Sequence, residues 1–108
     1  KSMEQGGLSG KPLFPLSTRM LAETYVRLEN AMPVIGVGGI DSGDAAVAKI
    51  RAGATLVQLY SGLVFRGLGL LTEIKRSLLS ALDEEGHERL SDIVGADAAD
   101  ITAQPWPV

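Results

Sequence analysis

Val34-Ile35-Gly36-Val37-Gly38-Gly39-Ile40-Asp41-Ser42-Gly43-Asp44 is the stretch that decides the fold. Its first four residues form a short run without polar alternation, the pattern of a strand buried on both faces. Gly38-Gly39 ends that strand, and Asp41-Ser42-Gly43-Asp44 offers two capping side chains for a helix. The helix is expected to hold Ala45 to Ala52, with Val47 and Ile50 inward and Gly53 stopping it as a left-handed residue. Thr55 to Tyr60 is a second apolar strand, interrupted only by Gln58, and Ser61-Gly62 repeats the glycine turn. From Val37 to Tyr60 the chain has the length of one βαβ unit, which requires parallel strands and a right-handed crossover.

Upstream, residues 1–16 read as irregular loop, because Gly6, Gly7 and Gly10 disfavour regular structure and Pro12 and Pro15 delay the next helix. Ser17 or Thr18 is expected to cap a helix to about Asn30, with Leu21, Tyr25 and Leu28 on one face. Downstream, a short extra helix fits residues 63–66. A longer amphipathic helix follows from Gly69 to Glu85, with Leu71, Ile74, Leu78 and Leu82 buried and Gly86 as the stop. Leu90 to Val94 reads as one more short helix, and residues 98–108 as a tail without a period. Two parallel strands cannot cover both of their faces and edges. The chain therefore reads as an α/β protein, the C-terminal segment of a (β/α)8 TIM barrel, with residues 1–108 inside one such domain.

Composition narrows the chemistry. The net charge is −3, and the ten Lys and Arg residues are scattered rather than striped, which argues against nucleic-acid binding. With no cysteine, thiolate catalysis, disulfides and zinc-thiolate sites are excluded. No apolar run reaches about 18 residues, the length of a membrane span. The single histidine, His87, lies beside Glu84, Glu85 and Glu88 and reads as a solvated helix-end residue. Asp41 and Asp44 flank a helix start, where carboxylates cap, and Asp97 and Asp100 read as solvated. No side chain is assigned a catalytic or metal-binding role.

What remains is the pair of glycine turns. At Gly38-Gly39 the missing side chains let backbone N–H groups approach an anion, and the helix opening near Ser42 would add the positive end of its dipole. Ser61-Gly62 repeats the device with a hydroxyl as a further donor. A single Gly-Gly pair is more often only a tight turn. Two such turns at corresponding ends of adjacent parallel strands favour a phosphate site, as after strands seven and eight of a TIM barrel.

Three motifs carry a family resemblance. Gly6-Gly7-Leu8-Ser9-Gly10-Lys11-Pro12-Leu13, followed by Ser17-Thr18, is similar to a signature of class 2 dihydroorotate dehydrogenases. Pro33 to Ile40 resembles that family's seventh strand and phosphate loop, and Ala52 to Gly62 its eighth strand. Tyr60-Ser61 and Pro12-Leu13 point to class 2 rather than class 1. The resemblance implies a (β/α)8 barrel that binds FMN and oxidises dihydroorotate to orotate in pyrimidine synthesis, with a membrane quinone as acceptor. It implies that Gly10, in the loop after strand six, contacts FMN through its backbone. It also implies that Gly39, Tyr60 and Ser61 hold the flavin phosphate and its neighbourhood. The family's serine base, its flavin-contacting lysine and its substrate-binding asparagines would come from sequence preceding Lys1, so residues 1–108 alone are expected to be inactive. The remaining barrel strands and a helical region meeting the membrane would come from there too, giving a peripheral protein on the cytoplasmic side of a bacterial inner membrane. The rival readings are another FMN- or phosphate-binding barrel enzyme and a non-catalytic half-barrel module.

Overall fold

A computed structural model of the chain describes residues 11–107. A 3-10 turn at Lys11–Leu13 leads into α1 (Phe14–Leu28), β1 (Ile35–Val37), α2 (Gly43–Ala52) and β2 (Leu56–Gln58). Then come α3 (Ser61–Arg66), α4 (Gly69–Glu85), a 3-10 turn at Leu90–Asp92 and α5 (Ala98–Ala103). The two strands pair in parallel, with Ile35 opposite Leu56, Gly36 opposite Val57 and Val37 opposite Gln58.

α1 begins at Phe14, ahead of the expected cap at Ser17 or Thr18, and Pro15 sits in its first turn. A proline is at ease there, since its missing N–H would have no helical partner and its φ is already helical. Ser17 is thereby freed from capping. α2 does start as the sequence implies: the Ser42 hydroxyl accepts the Ala45 N–H at 3.1 Å. It stops at Gly53, whose φ is 135°, where the N–H groups of Gly53 and Ala54 return to the carbonyls of Ile50 and Lys49. Its inward arc is Ala46, Lys49, Ile50 and Ala52. Val47, expected inward, lies at the margin, in a surface groove with Asp44, Arg76 and Ser77.

α4 has the predicted bounds, but its stripe runs Leu70, Ile74, Leu78, Leu82 in steps of four, leaving Leu71 exposed. The segment expected to be an aperiodic tail contains α5, which packs on α1. Arg19, buried on α1, donates to the carbonyls of Gln104 at 2.6 Å and Thr102 at 3.1 Å. Its guanidinium also lies 4.3 Å from the Trp106 ring centre. Terminal carbonyls of α5 are thus satisfied by a side chain from a distant element, which no local period records.

Leu21, Ala22, Ile50, Ala52, Ala54, Ile93 and Ala98 form one buried cluster, and Ile40, Ala46, Leu70 and Ile74 a second; Val57 and Leu78 pack against both. The strands are not buried on both faces, contrary to the sequence expectation. Gly36 turns inward, so tightly that a Cβ there would lie 3.0 Å from the Ala54 Cβ. Ile35, Val37 and Leu56 are 54%, 48% and 62% exposed. Within the described residues the helices cover one face of the sheet, and the apolar side chains of the other stand bare.

Candidate functional site

The register sets the site. Because Val37 lies opposite Gln58, the turns after β1 and β2 begin at the same level. They line one cleft, formed by residues 37–41 and 58–62 with Leu13 at its side. Gly38 and Gly39 have φ of 102° and 75°, backbone that L side chains rarely adopt, and with no side chain on either residue the backbone itself forms this wall of the cleft. The turns also touch: a Cβ on Gly62 would sit 2.3 Å from the Ile40 carbonyl oxygen.

Gly39 has a second constraint. A Cβ there would lie 2.6 Å from the Phe14 Cβ and 2.8 Å from its backbone Cα and N. The space beside Gly39, expected to be kept clear for an anion, is on that side filled by the first turn of α1. Ser61 is half-buried at the cleft. Tyr60 lines it too, but its residue surface is 79% exposed. Gly10 lies outside the described residues.

The helix start that faces the cleft also differs from expectation. At α2, the Gly43 N–H donates to Glu73 Oε2 at 2.8 Å while Ser42 takes the Ala45 N–H. A carboxylate therefore already occupies the positive end of α2, and the Gly43 N–H and then the Arg66 guanidinium hold the Glu73 carboxyl below its usual pKa. α3 has no side-chain cap and begins at Ser61 in the cleft itself, so its first donors take the place expected of α2. Arg66, at the end of α3, donates to the Asp41 carbonyl at 2.7 Å and pairs with Glu73. That fastens one flank of the β1 turn.

Lys49 and Ser17 fasten the other. Lys49 is fully buried; its Nζ donates to Ser17 Oγ at 2.6 Å and lies 4.6 Å from the Phe14 ring centre. Ser17 Oγ donates in turn to the carbonyls of Gly38 at 3.1 Å and Phe14 at 3.2 Å. Lys49, Ser17, Arg66 and Glu73 were not singled out in the sequence for this site. One signal existed: a lysine stands on an arc where Ala46 and Ile50 are apolar.

Burial pulls the Lys49 ammonium down from 10.5 to about 8. Between these values the unfolded chain keeps a proton that the folded one has released, so this group's contribution to stability rises with pH. In the complete protein, the denaturation midpoint of the wild type should gain on that of Lys49→Met as pH goes from 8 to 10.5. A difference that stays constant over that range would contradict it.

Among the described residues no helix is long and apolar enough to cross a membrane, and no group of three His, Cys, Asp or Glu side chains could hold a metal.

A parallel strand pair with a helix between its strands and a cleft at their carboxyl ends defines an α/β chain, and in open α/β sheets that end is where ligands bind. The family follows from comparison: the chain belongs to the dihydroorotate dehydrogenase family, whose model matches residues 1–82. It is 67% identical over 107 residues to dihydroorotate dehydrogenase (quinone) of Bradyrhizobium diazoefficiens, covering 99% of this chain and 29% of that protein. The enzyme of the same name from Rhodopseudomonas palustris is 69% identical over 105 residues, 97% of this chain and 29% of that one. Among solved structures, dihydroorotate dehydrogenase of Eimeria tenella in complex with ferulenol superposes with a TM-score of 0.81 at 36% identity. That match covers 87% of this chain and 25% of the other. The chain thus spans under a third of the length of the relatives it matches.

Proposed function

We propose that this chain supplies the FMN phosphate-binding part of a quinone-dependent dihydroorotate dehydrogenase. One observation carries the reading: the Gly38-Gly39 and Ser61-Gly62 turns share a cleft into which α3 begins without a side-chain cap. The donors on offer are backbone N–H groups and the Ser61 hydroxyl, neutral dipoles that suit a phosphate monoester at the end of a flavin nucleotide. In this reading Gly39, Tyr60 and Ser61 hold the phosphate and its neighbourhood, and Gly10 meets FMN through its backbone. β1 and β2 are strands seven and eight of a (β/α)8 barrel, and the bare face bearing Ile35, Val37 and Leu56 is its interior, covered by the other strands.

The bound flavin supplies the hydride acceptor for dihydroorotate. These residues anchor and orient it; the catalytic base belongs to another part of the complete enzyme. Pyrimidine synthesis is then the pathway. Contact with the cytoplasmic side of the inner membrane falls to a region outside these residues. The bare apolar sheet face weighs against a free-standing half-barrel module, which would have to hold that face in water.

The test is turnover by the complete, FMN-loaded enzyme. With dihydroorotate as donor, soluble quinones should support far faster turnover than NAD or fumarate. Equal or faster rates with NAD or fumarate would sink the quinone assignment, and flavin reduction by a different donor but not by dihydroorotate would favour another flavin barrel.

A further inference from the structure

We infer that Lys49 and Ser17 form a positioning relay that aims the Gly39 N–H into the cleft, so that both residues set the enzyme's preference for a phosphorylated flavin. The inference rests on the phosphate-site reading above. It begins from an anomaly: Lys49 has no exposed surface, yet among the described residues its ammonium lies under no carboxylate and meets Ser17 Oγ and the Phe14 ring instead. A buried cation is costly to keep, and one that ends on a single hydroxyl constrains that hydroxyl closely.

Ser17 has one proton. With Lys49 donating to its oxygen at 2.6 Å, that proton is directed to the carbonyls of Gly38 and Phe14. The Gly38 carbonyl is therefore drawn back toward α1. The peptide bond joining Gly38 to Gly39 is planar and trans, and in such a unit C=O and N–H point in opposite directions. Holding the Gly38 oxygen toward Ser17 thus turns the Gly39 N–H away from α1, toward the cleft that both glycines line. Two positive-φ glycines have little rotational restraint of their own, so a peptide flip is the natural failure of this turn. The relay removes that freedom. Burial lowers the Lys49 pKa only to about 8, so the cation behind the turn persists at neutral pH, where it also favours a phosphate anion on the other side.

The experiment compares FMN with riboflavin, its counterpart without phosphate, on the complete apoenzyme by calorimetry or flavin fluorescence. Ser17→Ala removes the hydroxyl with little change in volume, and Lys49→Met keeps a long side chain without the ammonium. Each should weaken FMN by about tenfold while leaving riboflavin nearly unchanged. The double variant should lose no more than the worse single, because the two act in series. Equal losses for FMN and riboflavin would show a merely structural role, and an unaltered FMN preference in both singles would show no role in phosphate recognition. Either result overturns the relay while leaving the phosphate site standing. A wild-type apoenzyme that does not prefer FMN to riboflavin would remove the phosphate site itself, and the relay with it. If Lys49→Met does not fold, Ser17→Ala decides alone.

Discussion

Residues 1–108 alone should show no cooperative thermal unfolding as a monomer. Each ordered residue costs about 1–2 kcal/mol in backbone entropy, and small chains offset this only with a well-filled core. Here four of the seven residues in the larger buried cluster are alanines, which contribute little apolar area. Ile35, Val37 and Leu56, which in a covered sheet would each stabilise by about 1.5–3 kcal/mol, stand roughly half exposed or more. A two-stranded sheet with one bare apolar face also presents open edges, and the cheapest way to cover them is a second copy. Circular dichroism should therefore record a broad, shallow melt, and sedimentation should record association that grows with concentration. A sharp melt from a sedimentation-verified monomer would contradict this and would revive the free-standing module.

That expectation was already legible in the order of elements, and it shows where sequence reasoning is strong. Both strands, both glycine turns and the bounds of α4 follow from local signals: apolar runs, adjacent glycines and a stop at Gly86. The shared cleft follows too, since parallel pairing brings equivalent strand ends together. Two kinds of feature were not legible. The start of α1 depends on whether Pro15 sits inside or outside a first turn, and proline is compatible with both. The choice of helix facing the cleft depends on Glu73, whose carboxylate reaches the Gly43 N–H from thirty residues along the chain. A cap of that kind is a tertiary fact. The same holds for Lys49, whose place on the inward arc marks it as unusual but does not reveal Ser17 as its partner.

If the shared cleft takes the flavin phosphate as proposed, flavin binding should fail when a single methyl group is placed between the two turns. A Cβ on Gly62 would lie 2.3 Å from the Ile40 carbonyl oxygen and 3.3 Å from the Asp41 Cα. Gly62 is not among the positive-φ residues, so Gly62→Ala brings no backbone strain and acts by size alone. The neighbour it strikes is backbone and cannot rotate away as a side chain would. Nor can the β1 turn retreat freely, since Arg66 holds the Asp41 carbonyl at 2.7 Å and Ser17 holds that of Gly38 at 3.1 Å. The turns must part by up to about 1 Å, enough to break a hydrogen bond to a charged phosphate, which is worth roughly 1.5–3 kcal/mol. Overpacking of this kind also destabilises by about 1–3 kcal/mol. In the complete enzyme, Gly62→Ala should therefore raise the FMN dissociation constant by about tenfold to a hundredfold and lower the melting temperature moderately. Gly39→Val is the blunter version: it would drive a branched side chain into the Phe14 backbone at a φ of 75°, so all flavin binding should fall together with the fold. Gly69→Ala is the control, because a Cβ there meets nothing within 4 Å and its φ is not positive. It should bind FMN as the wild type does and leave the melting temperature nearly unchanged, because Gly69 is the first residue of α4, outside the helix interior where alanine is favoured. Wild-type FMN affinity in Gly62→Ala would mean that the contact between the turns does not shape the flavin site.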